Sequence, residues 1–597
     1  MLNQPSPSDL SENIASHGSK WTRREALKLL SVAGAGSAVF ARALSALTAE
    51  KTEVTGDMIR QAEWISGLEL TTEERKLMLK GVTGAIEKYQ KLREVPLDNG
   101  VPPALRFDPA PLTGPHTNPG RSTVQIKPSA SSRRPDSSED LAFSSLTKLS
   151  ALVRSRQVTS VELTRLYLER LHRYDPALHC VITYTAELAL KQAEQADREI
   201  AEGGYRGPLH GIPWGAKDIL AVPGYPTSWG AMPYKEQVRP DESTVFARLR
   251  EAGAVLVAKL SVGALAMGDV WFGATTKNPW KLEQGSSGSS AGPAAATAAG
   301  LVGFAIGTET HGSIVSPCTR CGATGLRPTF GRVSRHGTMA LSWSMDKIGP
   351  IARSVEDLAL IFHAIHGRDG LDPTAVDRPF GWPSSRDVGT LRVGYVQSAF
   401  EEDRTKNVKT EERKAALKEW QAYDRRTLGV LRELGVKLVP IKLPDHYPVD
   451  ALSFILSAEA AASFDELTRR GGDDLLVRQN AGAWPNIFRQ AQLIPAVEYI
   501  RANRIRTLVM QEMEKVISEV DVYVTPSFVG GNLLLTNLTG HPAVVVPNGF
   551  RSADGTPTSI TFMGKLYGET ELLSLAHAYQ QATDFHLKRP PLAALSA

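Results

Sequence analysis

From about Asp140 onward, short apolar runs alternate with amphipathic stretches at helical spacing. Seven runs predict strands: AVLVAKL (254–260), VGFAIGT (302–308), LRVGYV (391–396), KLVPIKL (437–443), DVYVTPS (521–527), AVVVPNGF (543–550) and TSITFMG (558–564). They are mostly continuous rather than alternating, which is the pattern of strands covered on both faces. Leu163, Leu166, Tyr167 and Leu171 recur at helical spacing behind Ser160, which stands where an N-cap belongs. An Ala-rich stretch at 294–300 predicts a further helix. The segment 400–515 is charged and periodic (EERKAALKEWQAYDRR) and predicts a helical insertion packed on the sheet, with apolar faces suited to lining a pocket. The alternation as a whole predicts one α/β layered domain over 140–590, with a large, mostly buried central sheet flanked by helices.

Three segments precede this domain. Residues 44–100 predict a helical N-terminal segment: Thr71 and Glu74 fit a capping box, and Leu77, Met78, Val82, Ile86 and Tyr89 form a stripe. Residues 101–139 are rich in Pro, Ser and Arg without periodicity, and predict a linker or wrapping arm. In 1–43, Thr22-Arg23-Arg24 is followed by Leu27, Lys28 and a mildly apolar run to Ala41. Ala41-Arg42-Ala43 offers a small-residue cleavage site. That order of charge, apolar run and cleavage site predicts a twin-arginine signal peptide, export to the periplasm, and no stable membrane anchor after cleavage.

Charge adds a restriction. Lys and Arg number 68 against 64 Asp and Glu, a net +4, with no basic block interleaved with aromatics. Nucleic acid is therefore not an expected partner. The three cysteines, Cys180, Cys318 and Cys321, are too few for a disulfide framework. Cys318 and Cys321 form a C-x-x-C, readable as a redox pair or half a zinc site, or more plainly as two small buried residues. No His, Asp or Glu cluster has ligand spacing, so neither metal nor organic cofactor is expected.

The chemistry concentrates in GSSGSSAGPAAATAAGLVGFAIGTETHGSIVSPCTRCGATG, 285–325. Two Gly/Ser-rich turns are joined by one helix and one buried strand, so both can converge at one sheet edge, where α/β proteins place ligand sites. Upstream, GIPWGAKDIL carries Lys217 beside Asp218, a position where an ordinary ion pair is the plain alternative to catalysis. Together these blocks resemble the amidase signature family. The matching residues are Gly288-Ser289-Ser290-Ala291-Gly292, Gly307-Thr308-Glu309-Thr310-His311-Gly312-Ser313, and the G-x-P-x-x-x-K-D context of Lys217. Further blocks match in order: TGLRPTFGRVSRHG (324–337), MDKIGPIARSVEDLAL (345–360), NLTGHPAVVVPNGF (537–550) and LAHAYQQATDFH (575–586). The family spacing between its two serines selects Ser289 rather than Ser286 or Ser287.

The resemblance implies an α/β/α layered fold with a mixed central sheet and a serine amidohydrolase. Ser313 would be the nucleophile, Ser289 the bridge after a cis peptide at Gly288–Ser289, and Lys217 the base. The backbone of Thr310, His311, Gly312 and Ser313 would form the oxyanion hole, supported by Ser290, Thr308 and Glu309. The implied partner is a small-molecule amide, with the oligomeric state open, a homodimer included. The chain departs from the family pattern at Ala291, Glu309, His311 and Val315; the last two bear on substrate preference. Trp271, Phe272, Trp343 and Trp484 hint at an apolar pocket, although core packing explains aromatics equally well. A glutaminase of the kind that serves tRNA-dependent amidotransferases is the alternative within the fold, and an export signal argues against it. A non-catalytic binding protein is opposed by the presence of all three catalytic residues. A Ser-His-Asp hydrolase is opposed by the lack of a G-x-S-x-G elbow.

Overall fold

The computed structural model describes residues 54–97, 103–105, 123–124 and 133–592. The signal-peptide reading of 1–43 and most of the 101–139 linker lie outside the described residues. The chain divides into two units, Met1–Thr83 and Gly84–Ala597. In the first, the helix Gly56–Ser66 is capped by Thr55, which accepts a hydrogen bond from Met58 N. The Thr71–Glu74 capping box is formed in both directions at the start of the helix Thr72–Glu94. Arg75 pairs with Glu63 across the turn between the two helices.

The second unit is built on an eleven-stranded mixed sheet. In chain order its strands are β1 (Val181–Tyr184), β2 (Pro213–Lys217), β3 (Val255–Leu260), β4 (Phe304–Glu309), β5 (Thr324–Arg327) and β6 (Lys347–Ala352). They continue as β7 (Arg392–Val396), β8 (Lys437–Ile441), β9 (Val522–Pro526), β10 (Ala543–Phe550) and β11 (Pro557–Gly564). The spatial order is β8-β7-β9-β11-β10-β5-β6-β4-β2-β3-β1. All seven apolar runs are strands. Every residue of β3 and β4 is buried, as continuous apolar patterning requires of central strands. The segment 400–515 holds helices but also the edge strand β8, so it belongs partly to the sheet.

Helices cover both faces, and two large apolar clusters lie on opposite sides of the sheet. Trp214, Phe304 and Ile306 belong to one, and Val257, Ala305 and Ile351 to the other. Helix α1 (Ser160–Leu178) begins one residue earlier than expected. Thr159 is the N-cap and forms a capping box with Glu162, while the Ser160 hydroxyl is buried and donates to the Gly211 carbonyl. The buried hydroxyl is satisfied by a tertiary partner, which leaves the cap to its neighbour.

Candidate active site

β2 and β4 run parallel and adjacent, so their carboxyl ends place Lys217 and Glu309 at the same sheet edge. Helix α2 (Ala291–Ala298) feeds β4, and helix α3 (Val315–Cys321) leaves it. The Gly/Ser turns before these helices meet there: Ser290 N donates to the Ser313 carbonyl at 3.1 Å. Small residues let the turns approach. A Cβ on Gly307 would lie 2.8 Å from Ser290 Oγ, and Gly312 sits at φ +90°, a conformation that favours glycine. The Gly288–Ser289 peptide is cis.

Lys217 is fully buried. Its ammonium donates to Ser289 Oγ at 2.9 Å, Thr308 Oγ1 at 2.7 Å and Ser290 Oγ at 3.2 Å. Asp218 does not neutralise it. That carboxylate pairs with Lys259 at 2.8 Å and accepts from Ser228, on the other side of the backbone. Burial brings the Lys217 pKa down to about 7, against weaker upward pulls from Asp346 and Glu309. Desolvation without a close counter-charge is what makes a lysine titrate near neutrality. Ser286 and Ser287 lie outside this network: Ser287 Oγ contacts Ser316 Oγ at 2.7 Å, and Ser286 Oγ donates to the Ser287 carbonyl.

Ser313 is half-buried, and its hydroxyl makes no hydrogen bond among the described residues. The backbone N–H groups of Thr310, His311, Gly312 and Ser313 likewise donate to nothing described, so the turn presents unspent donors beside that hydroxyl. Glu309 holds the turn from beneath. Its carboxylate accepts from Ile314 N at 2.9 Å, Val315 N at 3.0 Å, Asn537 Nδ2 at 2.9 Å and Arg327 Nη1 at 2.7 Å. Burial alone would raise its pKa; the Arg327 charge and these hydrogen bonds outweigh it and bring the value to about 2. The longer side chain reaches past the turn 310–313 to the start of α3, so Val315 contributes its backbone there. His311 is exposed at the turn.

Two residues of this site lie in blocks matched by sequence without an assigned role. Arg327 anchors Glu309, and Asp346 accepts from Thr310 Oγ1 at 2.6 Å. A cavity of about 300 Å³ opens beside the network, lined by Thr308, Thr310, Asp346, Lys347 and apolar side chains including Trp343. Of the four aromatics singled out, only Trp343 lines it. Trp271 and Phe272 pack on each other, and Trp484 stacks on Phe488. Cys180, Cys318 and Cys321 are all buried and unpaired, and burial pushes their thiols up. Among the described residues, no group of three His, Cys, Asp or Glu side chains is arranged to hold a metal ion.

The Amidase family model matches residues 162–535. The A subunit of the glutamyl-tRNA(Gln) amidotransferase of Methylococcus capsulatus is 34% identical over 74% of this chain and 98% of its own length. Its counterpart from Chloroflexus aggregans is 35% identical over 73% and 96%. Among solved structures, the native peptide amidase from Stenotrophomonas maltophilia is 28% identical, with a TM-score of 0.64 over 75% of this chain and 98% of its own. The chain belongs to the amidase signature family of enzymes, which hydrolyse amide C–N bonds.

Proposed function

We propose that the protein hydrolyses a linear carboxylic amide to an acid and an amine or ammonia through an acyl-enzyme on Ser313. The observation that carries this reading is the buried Lys217 ammonium, 2.9 Å from Ser289 Oγ and without a carboxylate partner. Neutral Lys217 accepts a proton from Ser289, which takes one from Ser313 as the latter attacks the carbonyl. The Ser313–Ser289 hydrogen bond this requires forms with substrate in place, as contacts in unliganded sites often tighten then. The free N–H groups of residues 310–313 receive the oxyanion; such donors contribute roughly 3–4 kcal/mol each. The proton returns through Ser289 to the leaving nitrogen, and water then releases the acid.

A second reading has specific support. The curated relatives are named as the A subunits of amidotransferases and match over nearly their whole length at higher identity than the peptide amidases. On that reading the amide is that of glutamine and the product is ammonia passed to a partner. One assay separates the two: ammonia release from glutamine beside hydrolysis of acyl anilides and amino-acid amides, each repeated with Ser313→Ala. Turnover of glutamine alone supports the glutaminase reading, and turnover of the panel supports a general amidase. Turnover that survives in Ser313→Ala overturns both.

We also propose export through the twin-arginine route, from the Thr22-Arg23-Arg24 segment and the apolar run behind it. Changing Arg23 and Arg24 together to Lys should hold the protein in the cytoplasm. Unchanged periplasmic activity in that variant would overturn the proposal.

A further inference from the structure

Lys347 starts β6 directly across from Glu309 of β4 and is 2% exposed. Three lysines are buried among the described residues: Lys217, Lys259 and Lys347. Lys259 is ion-paired with Asp218, and Lys217 is surrounded by hydroxyls. Lys347 has a single hydrogen bond, to the Met345 carbonyl, and no carboxylate at ion-pair distance among the described residues. Two of its three ammonium donors are therefore unused, in a place where an unsatisfied charge is costly.

Lys347 lines the cavity that adjoins Thr308 and Thr310. The arginine and aspartate side chains of that wall are occupied. Asp346 accepts from Thr310, Leu341 N and Ser342 N. Arg335 and Asp372 pair with each other, and Arg335 also donates to Thr374 and to the Trp343 carbonyl. Much of the remaining wall is apolar, with Ile219, Met339, Leu341, Ile348 and Leu371. An apolar cavity wall with one buried amine whose donors are largely unspent suits a ligand of complementary build: a hydrocarbon arm ending in an acceptor, best an anionic one.

The chemistry decides which arm of an amide lies there. After attack the acyl group stays bonded to the serine while the amine departs, so the recessed cavity suits the part that remains. We propose that Lys347 receives a carboxylate at the far end of the acyl arm, making the enzyme selective for amides of dicarboxylic half-acids. Burial holds the Lys347 pKa well down, with Arg327 and Arg506 adding to the effect and Glu309 and Asp346 opposing it; His311 is a further titratable neighbour. A carboxylate seated against Lys347 would draw a proton onto it and complete an ion pair.

The inference rests on Ser313 as the nucleophile, and one experiment tests the two separately. A fluorophosphonate is used to label Ser313 in the presence of glutaramate or pentanamide, amides of equal chain length that end in carboxylate or methyl. Glutaramate should protect at a concentration about tenfold or more below pentanamide, because the apolar analogue leaves the buried amine unpaired. Lys347→Met and Lys347→Gln should each remove that preference while leaving protection by pentanamide within about threefold, since only the carboxylate contact is lost. Equal protection in the wild type, protection by neither compound, or a preference that survives both variants, overturns the role of Lys347 and leaves Ser313 standing. Absence of any labelling overturns the Ser313 reading itself.

Discussion

A lysine enclosed by hydroxyls, with no carboxylate beside it, is held near neutrality by the cost of burying its charge. Lys217 is such a residue, with a pKa brought to about 7 by burial. Only its unprotonated form accepts a proton from Ser289. Therefore kcat/KM for a neutral amide should rise with pH, inflect at about 7 and level off above it. A profile flat from acid to alkaline pH would contradict this. Arginine cannot play the part, because its guanidinium stays protonated. Lys217→Arg should lose more than about 100-fold in turnover. A loss within about tenfold, equivalent to roughly 1.4 kcal/mol of barrier, would make Lys217 a mere ion-pair partner. That alternative already has poor footing, since Asp218 is engaged by Lys259.

At the scale of elements, the turn 310–313 is fixed by a buried pair, Glu309 at the end of β4 and Arg327 at the end of β5. Glu309 accepts the first free N–H groups of α3, so strand, turn and helix share one carboxylate. Removing one partner of a buried pair strands the other charge, which typically costs about 3–5 kcal/mol. Glu309→Ala should lower unfolding stability by that order in denaturant titrations; a change near zero would mean that the pair is dispensable. The pH dependence follows from the sign of the shift. With a folded pKa of about 2 against an ordinary 4.5, the Glu309 contribution is full above pH 4.5 and is lost as pH falls toward 2. Glu309→Ala should therefore flatten the acid limb of the stability curve. The longer apolar strands were legible in the sequence because both faces are covered. β1, β2, β5 and β6 were not, because they are short or interrupted: PWGAK, TGLR and KIGPIA carry the Gly and Pro that break a strand pattern. Resemblance pointed to Lys217, Ser289 and Ser313. The side chains that brace the neighbouring turn, Arg327 on Glu309 and Asp346 on Thr310, are brought in by sheet pairing, which local pattern does not encode.

For the molecule as a whole, the sheet brings residues from 217 to 347 to one edge, and Lys347 is among the residues that line the cavity beside them. The aromatic residues were the least informative part of the sequence, since a tryptophan that fills a core and one that lines a cavity look alike; Trp484 does the first and Trp343 the second. What unites the fold, the turns and the buried lysine is a single expectation, that one serine among the cluster 286–290 and 313 becomes covalently acylated. Mass spectrometry of the intact protein after exposure to a fluorophosphonate, followed by peptide mapping, tests this most directly. The account predicts one adduct per chain, on Ser313, absent in Ser313→Ala with the circular dichroism unchanged. An adduct on Ser287 or Ser289, or one that persists in Ser313→Ala, would contradict it.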